Sequence, residues 1–572
     1  MERESKPLVE ATATPLTGNS LVALVTTRSE SNKLTRPEKP WKLRDLQGVS
    51  AKVKKIKEHK FNVGDKLPSN RDPNYTLTEQ TADFGSHTPA IDIGELALIW
   101  EITLSSHYKL YPPGTTTLYA YFESRGGRFP YTVFFGLQYI LKRWLCGPVV
   151  TRAMVEEAKE VINAVFKRDD VFNEEGWNYL VEHHRGRLPL RVKAVPEGTV
   201  VPTKNVLFTV ENTDPAVPWV TSFFETLLAQ TWYPMTVATN SHVYKQILHH
   251  YMDLTHDNTD TLVFYLHDTG YRGVSSVESG ALGGAAHLIN FKASDTVAGT
   301  SLLRKYYHLK TVGGISSRSS EHSTVITWGK EREVDSHRHL LQTYPEGDVG
   351  CVCDSYDIWR CLEEDWCGEL RDLVLQRGSK GGCIYLGPDS GDPKVVILKC
   401  LEILGKTYGT ETNTKGYKML PPYLRITCSE GITHKALWST LEHLKNHNWS
   451  TANTYFGAGA ALLQKINRDT QKCAYKVSYV EVGGQGVDVY KQPVTDSGKD
   501  SKRGRLSLHH HHHGLYTTQQ AGKGDSTKDL LVPVFENGEL LMDYTLQDIQ
   551  ERAQTVPNDF DVIRFLEEDR DY

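Results

Sequence analysis

The chain has 572 residues, 39% of them apolar, 10% aromatic and 24% charged, with a formal net charge of -5 and a pI near 6.5. That composition is globular and long enough for two or more domains, and it excludes a whole-chain basic footprint for nucleic acid. No stretch approaches the roughly 18 consecutive apolar residues of a membrane span, and the polar start MERESKPLVE is neither a secretory signal nor a transit peptide, so a cytoplasmic protein without membrane or nucleic-acid partners is expected.

Residues 1–85 are rich in Ser, Thr, Lys and Pro and carry the basic run Ala51–Lys57. Such a composition buries too little apolar surface to offset chain entropy, which predicts a disordered extension; its functional reading is a tether for an acidic partner. Residues 90–257 begin an α/β domain. Tyr119–Phe122 reads as a strand, Phe134–Trp144 and Val155–Phe166 as helices, and Val200–Val210 as paired strands with Pro202 and Asn205 at the turn.

From 258 to 468, short apolar runs alternate with helical segments. Strands are expected at Leu262–Leu266, Val349–Cys353 and Tyr423–Thr427. Helices are expected near 279–290, after Cys353 through Leu362, at Val395–Leu404 and at Lys435–Lys445. This alternation predicts an irregular α/β barrel with its site after the strand ends. Residues 469–554 return to complete the first α/β domain, and 555–572 form an acidic tail. The nine cysteines fit no zinc spacing, Cys351 and Cys353 being two apart and Cys361 and Cys367 six, so reduced packing cysteines and no metal ligands are expected.

Four polar motifs follow the barrel strands. In His267–Gly273, two glycines flank Arg272 and suit a turn that presents a guanidinium to phosphate. Asp295 ends a strand, where a carboxylate can orient an amide or hydroxyl or cap a helix. His322 is joined by Asp354 and Asp389 at later strand ends; a carboxylate on one imidazole nitrogen fixes the tautomer and raises basicity at the other, making His322 a candidate nucleophile or base. Last, Tyr455–Ala461 runs into Leu462–Arg468 as strand, small-residue turn at Gly459, and helix. Such a helix start suits phosphate, Arg468 could clamp it, and Lys476, Lys491, Lys499, Lys502, Arg503 and Arg505 either neutralise a polyphosphate or form a solvated face.

Together and in this order, the motifs resemble the nicotinamide phosphoribosyltransferase family from about residue 101 to 554. Long phrases carry the resemblance: His107–Lys109 before Tyr111–Pro113, Phe134–Leu141, Asn173–Tyr179, Lys193–Gly198, Thr236–Ser241 and Lys502–Leu508. It implies a pentosyltransferase that moves phosphoribosyl from phosphoribosyl pyrophosphate to nicotinamide in NAD salvage, with magnesium on the pyrophosphate and ATP as co-substrate that phosphorylates the site histidine. It also implies a homodimer with shared pockets. Carried over by motif, Arg272 and Arg468 hold phosphate, Asp295 bonds the nicotinamide amide, His322 is phosphorylated and held by Asp354 and Asp389, and Arg425 lies beside the ribosyl site.

The departures cluster at the pocket. Glu101–Leu104 replaces the family's Asp-Ser-Tyr-Lys, and Thr269 replaces a Phe, so both aromatics that sandwich the nicotinamide ring are changed. Gly387 stands for an Arg, Ser429-Glu430-Gly431 for Gly-Asp-Gly, and Gly457–Ala461 for Gly-Ser-Gly-Gly-Gly. Thr103 and Thr269 would enlarge and polarise the acceptor slot, and Ala460 would crowd a phosphate. Three readings follow: a nicotinamide enzyme, a transferase with another acceptor, or a catalytically silent binding or scaffold paralogue. The run His509–His513 is expected to be a solvated loop that binds nickel or zinc adventitiously.

Overall fold

The computed structural model describes residues 102–510, 516–520, 526–557 and 560–568. The proposed disordered extension, its basic run, Glu101 and His511–His513 lie outside them, as does the side chain of Thr103.

Two seven-stranded sheets organise the chain. The first is antiparallel, in the order Gln485–Asp488, Cys473–Val482, Thr115–Ser124, Val206–Asn212, Leu190–Ala194, Val532–Glu536, Glu539–Leu540. Segments from both ends of the chain therefore share one sheet, as the α/β domain split across the sequence requires. The central strand Thr115–Ser124 is buried along its last seven positions, consistent with coverage of both faces. Val200–Pro202 does not pair with Val206–Asn212. It joins Tyr131–Val133 instead, because Lys204 adopts a positive φ and its N–H bonds the Ser124 carbonyl, turning the chain out of hairpin geometry.

The second sheet is parallel: Ala293–Ser294, Leu266–Asp268, Thr454–Ala458, Leu424–Cys428, Ile384–Gly387, Val349–Val352, Arg318–Ser319. A parallel bridge from Ala293 to Ile315, three residues before Arg318, links its two edges. The result is the expected irregular α/β barrel. Its strands read as short apolar runs because both faces are covered. The first begins at Leu266 rather than Leu262; Leu262–Phe264 forms a 3-10 turn.

Local chemistry sets the helix ends. Thr433 accepts from the Ala436 N–H at the start of His434–Asn446, and Asp392 caps Pro393–Tyr408 with proline in the first turn. Val277–His287 meets Val297–Tyr306 at a glycine contact, where a Cβ on Gly299 would lie 2.7 Å from the Gly284 carbonyl carbon. The expected Phe134–Trp144 helix starts late, at Leu137, because Gly136 takes φ 102 over Pro234. Its second half, Leu141–Leu145, is wound as π-helix. Residues 555–572 hold a docked helix, Val562–Glu568, with Leu566 buried and Phe565 against Phe129.

Candidate active site

The C-terminal ends of the parallel strands open into a cavity of about 630 Å³, where an α/β barrel concentrates its chemistry. Its wall carries Thr269 and Arg272 after one strand and Asp295, His322 and Asp389 after three others, together with the backbone turn Gly387–Pro388.

His322 opens a short helix, and its Nε2 meets Asp354 Oδ1 at 3.0 Å. The other Asp354 oxygen accepts from the Asp389 N–H at 2.9 Å and the Ser390 hydroxyl at 2.5 Å. Burial acts to raise the Asp354 carboxyl, but hydrogen bonds from Ser390, His322 and the Asp389 N–H outweigh it and hold the group below its ordinary range. With Asp354 accepting at Nε2, the lone pair of the imidazole is at Nδ1. Asp389 reaches this cluster through its backbone. Its carboxyl is raised, first by burial and then by the Asp354 charge.

Asp295 sits after its strand and accepts from His267 Nε2 at 3.0 Å and Ser316 Oγ at 2.6 Å. Burial would raise its carboxyl; these bonds and the Arg272 charge lower it. The helix cap beside it is Thr296, not Asp295. Arg272 is on the rim, its side chain 78% exposed and 3.2 Å from Glu321 Oε1. His267, Ser316 and Glu321 were not singled out in the sequence; only their convergence on Asp295 and Arg272 marks them. Thr269 faces the cavity, and the rings of Phe264, Tyr271, Tyr385, Tyr455 and Phe456 line it, with Tyr385 and Tyr455 edge to face at 5.1 Å.

Other expected residues fall elsewhere. Gly459 lies beside Thr269 but outside the wall, and the helix after it is only Ala460–Leu463. Arg468 belongs to a separate 3-10 turn rather than to that helix, is 63% exposed and pairs with Asp469. The chain leaves the helix because Gln464 and Lys465 N–H groups both return to the Ala460 carbonyl. Arg425 Nη1 donates to the carbonyls of Leu420, Pro421 and Leu424, and the residue is absent from the wall.

The downstream basic residues do not converge on this chain's cavity either. Lys499 pairs with Asp496, Lys476 with Glu225, Lys502 with Glu123 and Arg505 with Glu211, while Lys491 joins Ser501 through its backbone. His509 and His510 extend a strand, Leu506–His510, and His509 is buried against Ser507. The histidine run therefore does not start as a solvated loop.

Comparison with known proteins gives a consistent picture. Residues 264–539 match the model of the nicotinate phosphoribosyltransferase (NAPRTase) family, and residues 101–192 that of the nicotinamide phosphoribosyltransferase N-terminal domain. The chain is 45% identical to a nicotinamide phosphoribosyltransferase of Xanthomonas campestris pv. campestris over 458 residues, 78% of this chain and 96% of the relative. It is 30% identical to one of Acinetobacter baylyi over 480 residues, 78% and 95% of the two chains. Among solved structures, nicotinate-nucleotide pyrophosphorylase from Pyrococcus furiosus shares the fold, with TM-score 0.52 and 14% identity, covering 85% of this chain and 97% of that one.

Proposed function

We propose a function on this premise: the chain belongs to the nicotinamide phosphoribosyltransferase family. It acts in NAD salvage, transferring phosphoribosyl from phosphoribosyl pyrophosphate to a pyridine acceptor with release of pyrophosphate. The C1–O bond to pyrophosphate breaks, its electron pair leaving with the pyrophosphate, and a bond forms from C1 to the ring nitrogen of nicotinamide. The observation that carries this reading is the His322–Asp354 pair at the mouth of the barrel.

The transition state is oxocarbenium-like, so the protein chiefly positions groups and neutralises charge. Arg272 lies on the rim to receive phosphate oxygens. Asp295, oriented by His267 and Ser316, faces the cavity to accept from the acceptor's amide. His322 presents Nδ1 for phosphorylation by ATP while Asp354 holds Nε2 and stabilises the imidazolium. Asp389 and Glu321 line the cavity, and burial first, then the charges of Asp354, Glu430 and Glu321, raise the Asp389 carboxyl. These hard oxygen donors suit magnesium. Magnesium would be bound beside Asp389 and would supply charge neutralisation for pyrophosphate.

Thr269 in place of an aromatic favours a second reading, a different acceptor on the same chemistry. Phe264, Tyr385 and Tyr455 supply ring surface within the same cavity, which supports retention of a flat heteroaromatic acceptor. Because Lys491, Lys499 and Arg468 do not reach this chain's own cavity, a homodimer with shared pockets is part of the proposal. Among the described residues, no helix is long and apolar enough to cross a membrane.

The test is incubation with phosphoribosyl pyrophosphate, magnesium and ATP, with nicotinamide or nicotinic acid. Mononucleotide from nicotinamide that vanishes in His322→Ala supports the first reading, and product from another acceptor the second. Absence of product and of pyrophosphate binding refutes both and leaves a binding paralogue.

A further inference from the structure

Beneath the wall that carries Cys351 lies a buried group of side chains that the phosphoribosyl chemistry does not use. Glu333 and His337 are one turn apart on the helix Glu333–Thr343, and Cys361 begins the wide-wound segment Cys361–Glu369. One donor atom from each of the three lies within 4.8 Å of the other two, and all three residues are buried. His337 Nδ1 is 3.9 Å from Cys361 Sγ.

One polar atom there has no partner: Glu333 Oε2 takes Arg360 Nη2 at 2.6 Å, but its Oε1 is buried and unsatisfied, while His337 lies against the thiols of Cys351 and Cys361. Leaving a buried carboxylate oxygen unpaired is costly, and such an atom in a folded protein calls for an explanation, such as an ion. Cys353 is fully buried and contacts the thiols of both Cys351 and Cys361.

We propose that Glu333, His337 and Cys361 bind one zinc-class divalent cation. Thiolate sulfur, imidazole nitrogen and carboxylate oxygen are all zinc donors. Tetrahedral zinc bonds of roughly 2.0–2.3 Å set donors about 3.3–3.8 Å apart, so these three donors would draw together from spacings within 4.8 Å. The cysteines showed no zinc spacing because His337 and Glu333 come from a separate helix. Cys353 contacts the Cys361 thiol and immediately precedes Asp354, so the cation would brace the loop that holds His322. The inference does not depend on the transferase reading.

The test uses the full chain prepared without a metal-affinity column, so that no column metal enters the count. About one zinc per chain is expected in the wild type by elemental analysis, and loss of it in Cys361→Ser and His337→Gln, both of which retain the histidine run. Cobalt(II) loading should give a thiolate-to-metal charge-transfer band and a tetrahedral ligand-field spectrum. Chelation should lower the melting temperature of the wild type and leave that of Cys361→Ser unchanged. If the variants fail to fold, X-ray absorption of the zinc-loaded wild type decides: sulfur in the first shell supports the site. No bound metal, or metal held by nitrogen and oxygen alone, overturns it.

Discussion

Asp354→Asn tests the centre of the site with little change in volume. The carboxylate is 5% exposed and makes three contacts, with His322 Nε2 on one oxygen and the Asp389 N–H and Ser390 hydroxyl on the other. An asparagine cannot reproduce them. If its oxygen faces His322, its amide N–H2 confronts the Asp389 N–H, donor against donor; if it flips, it confronts Nε2–H. Loss of a charge-assisted hydrogen bond amounts to about 1.5–3 kcal/mol, and roughly 1.4 kcal/mol is a factor of ten. The imidazole is 37% exposed, and solvent screening moves the expectation to the lower part of that range. We therefore expect about a 10- to 50-fold loss of kcat/KM in ATP-stimulated mononucleotide formation, with phosphorylation of His322 reduced in parallel. Circular dichroism would confirm the fold. Activity within twofold of wild type and undiminished histidine phosphorylation would refute the role assigned to Asp354.

Four further outcomes are expected. Burial, against hydrogen bonds from Gln138, Tyr307 and Gly136, pushes the Glu197 carboxyl up to about 7. A carboxyl raised on folding favours the fold below its unfolded value, and that contribution fades as pH rises through about 7; Glu197→Gln should flatten this part of the melting-temperature profile. Burial lowers the imidazoles of His242 and His256 to about 3; because the unfolded chain then binds more protons, stability should fall as pH drops below about 6.5, and less steeply in His256→Gln. Gly198→Ala places a Cβ 2.4 Å from the Ile549 carbonyl at φ 90 and should destabilise by roughly 2–5 kcal/mol in urea unfolding. If Tyr455, which lines the cavity edge to face with Tyr385, is the platform for a flat acceptor, Tyr455→Ala should raise KM for nicotinamide more than KM for phosphoribosyl pyrophosphate; equal effects on both would argue against a ring platform.

The barrel was legible because its strands are short apolar runs bounded by turns, and because chemistry follows strand ends in such folds. That rule selects His322, Asp354, Asp389, Asp295 and Arg272, and the structure places each in a hydrogen-bonded group, Arg272 on the rim with Glu321. Residue type and local position could not reveal Asp295's partners. His267 and Ser316 lie 28 and 21 residues from it, and only the parallel pairing of neighbouring strands unites them.

Local pattern determined this protein's class, its family and the residue types available at the strand ends. Tertiary structure decided which of those residues meet. Arg468, predicted on a phosphate-binding helix, is carried away because that helix stops after one turn; Val200–Pro202 abandons its sequence neighbour for Tyr131–Val133; Cys361 meets His337 across 24 residues. The physical reason is the same in each case. Helical spacing and apolar alternation are short-range signals, whereas hydrogen-bond partners and buried contacts are selected by packing between segments far apart in the chain, which no local window contains.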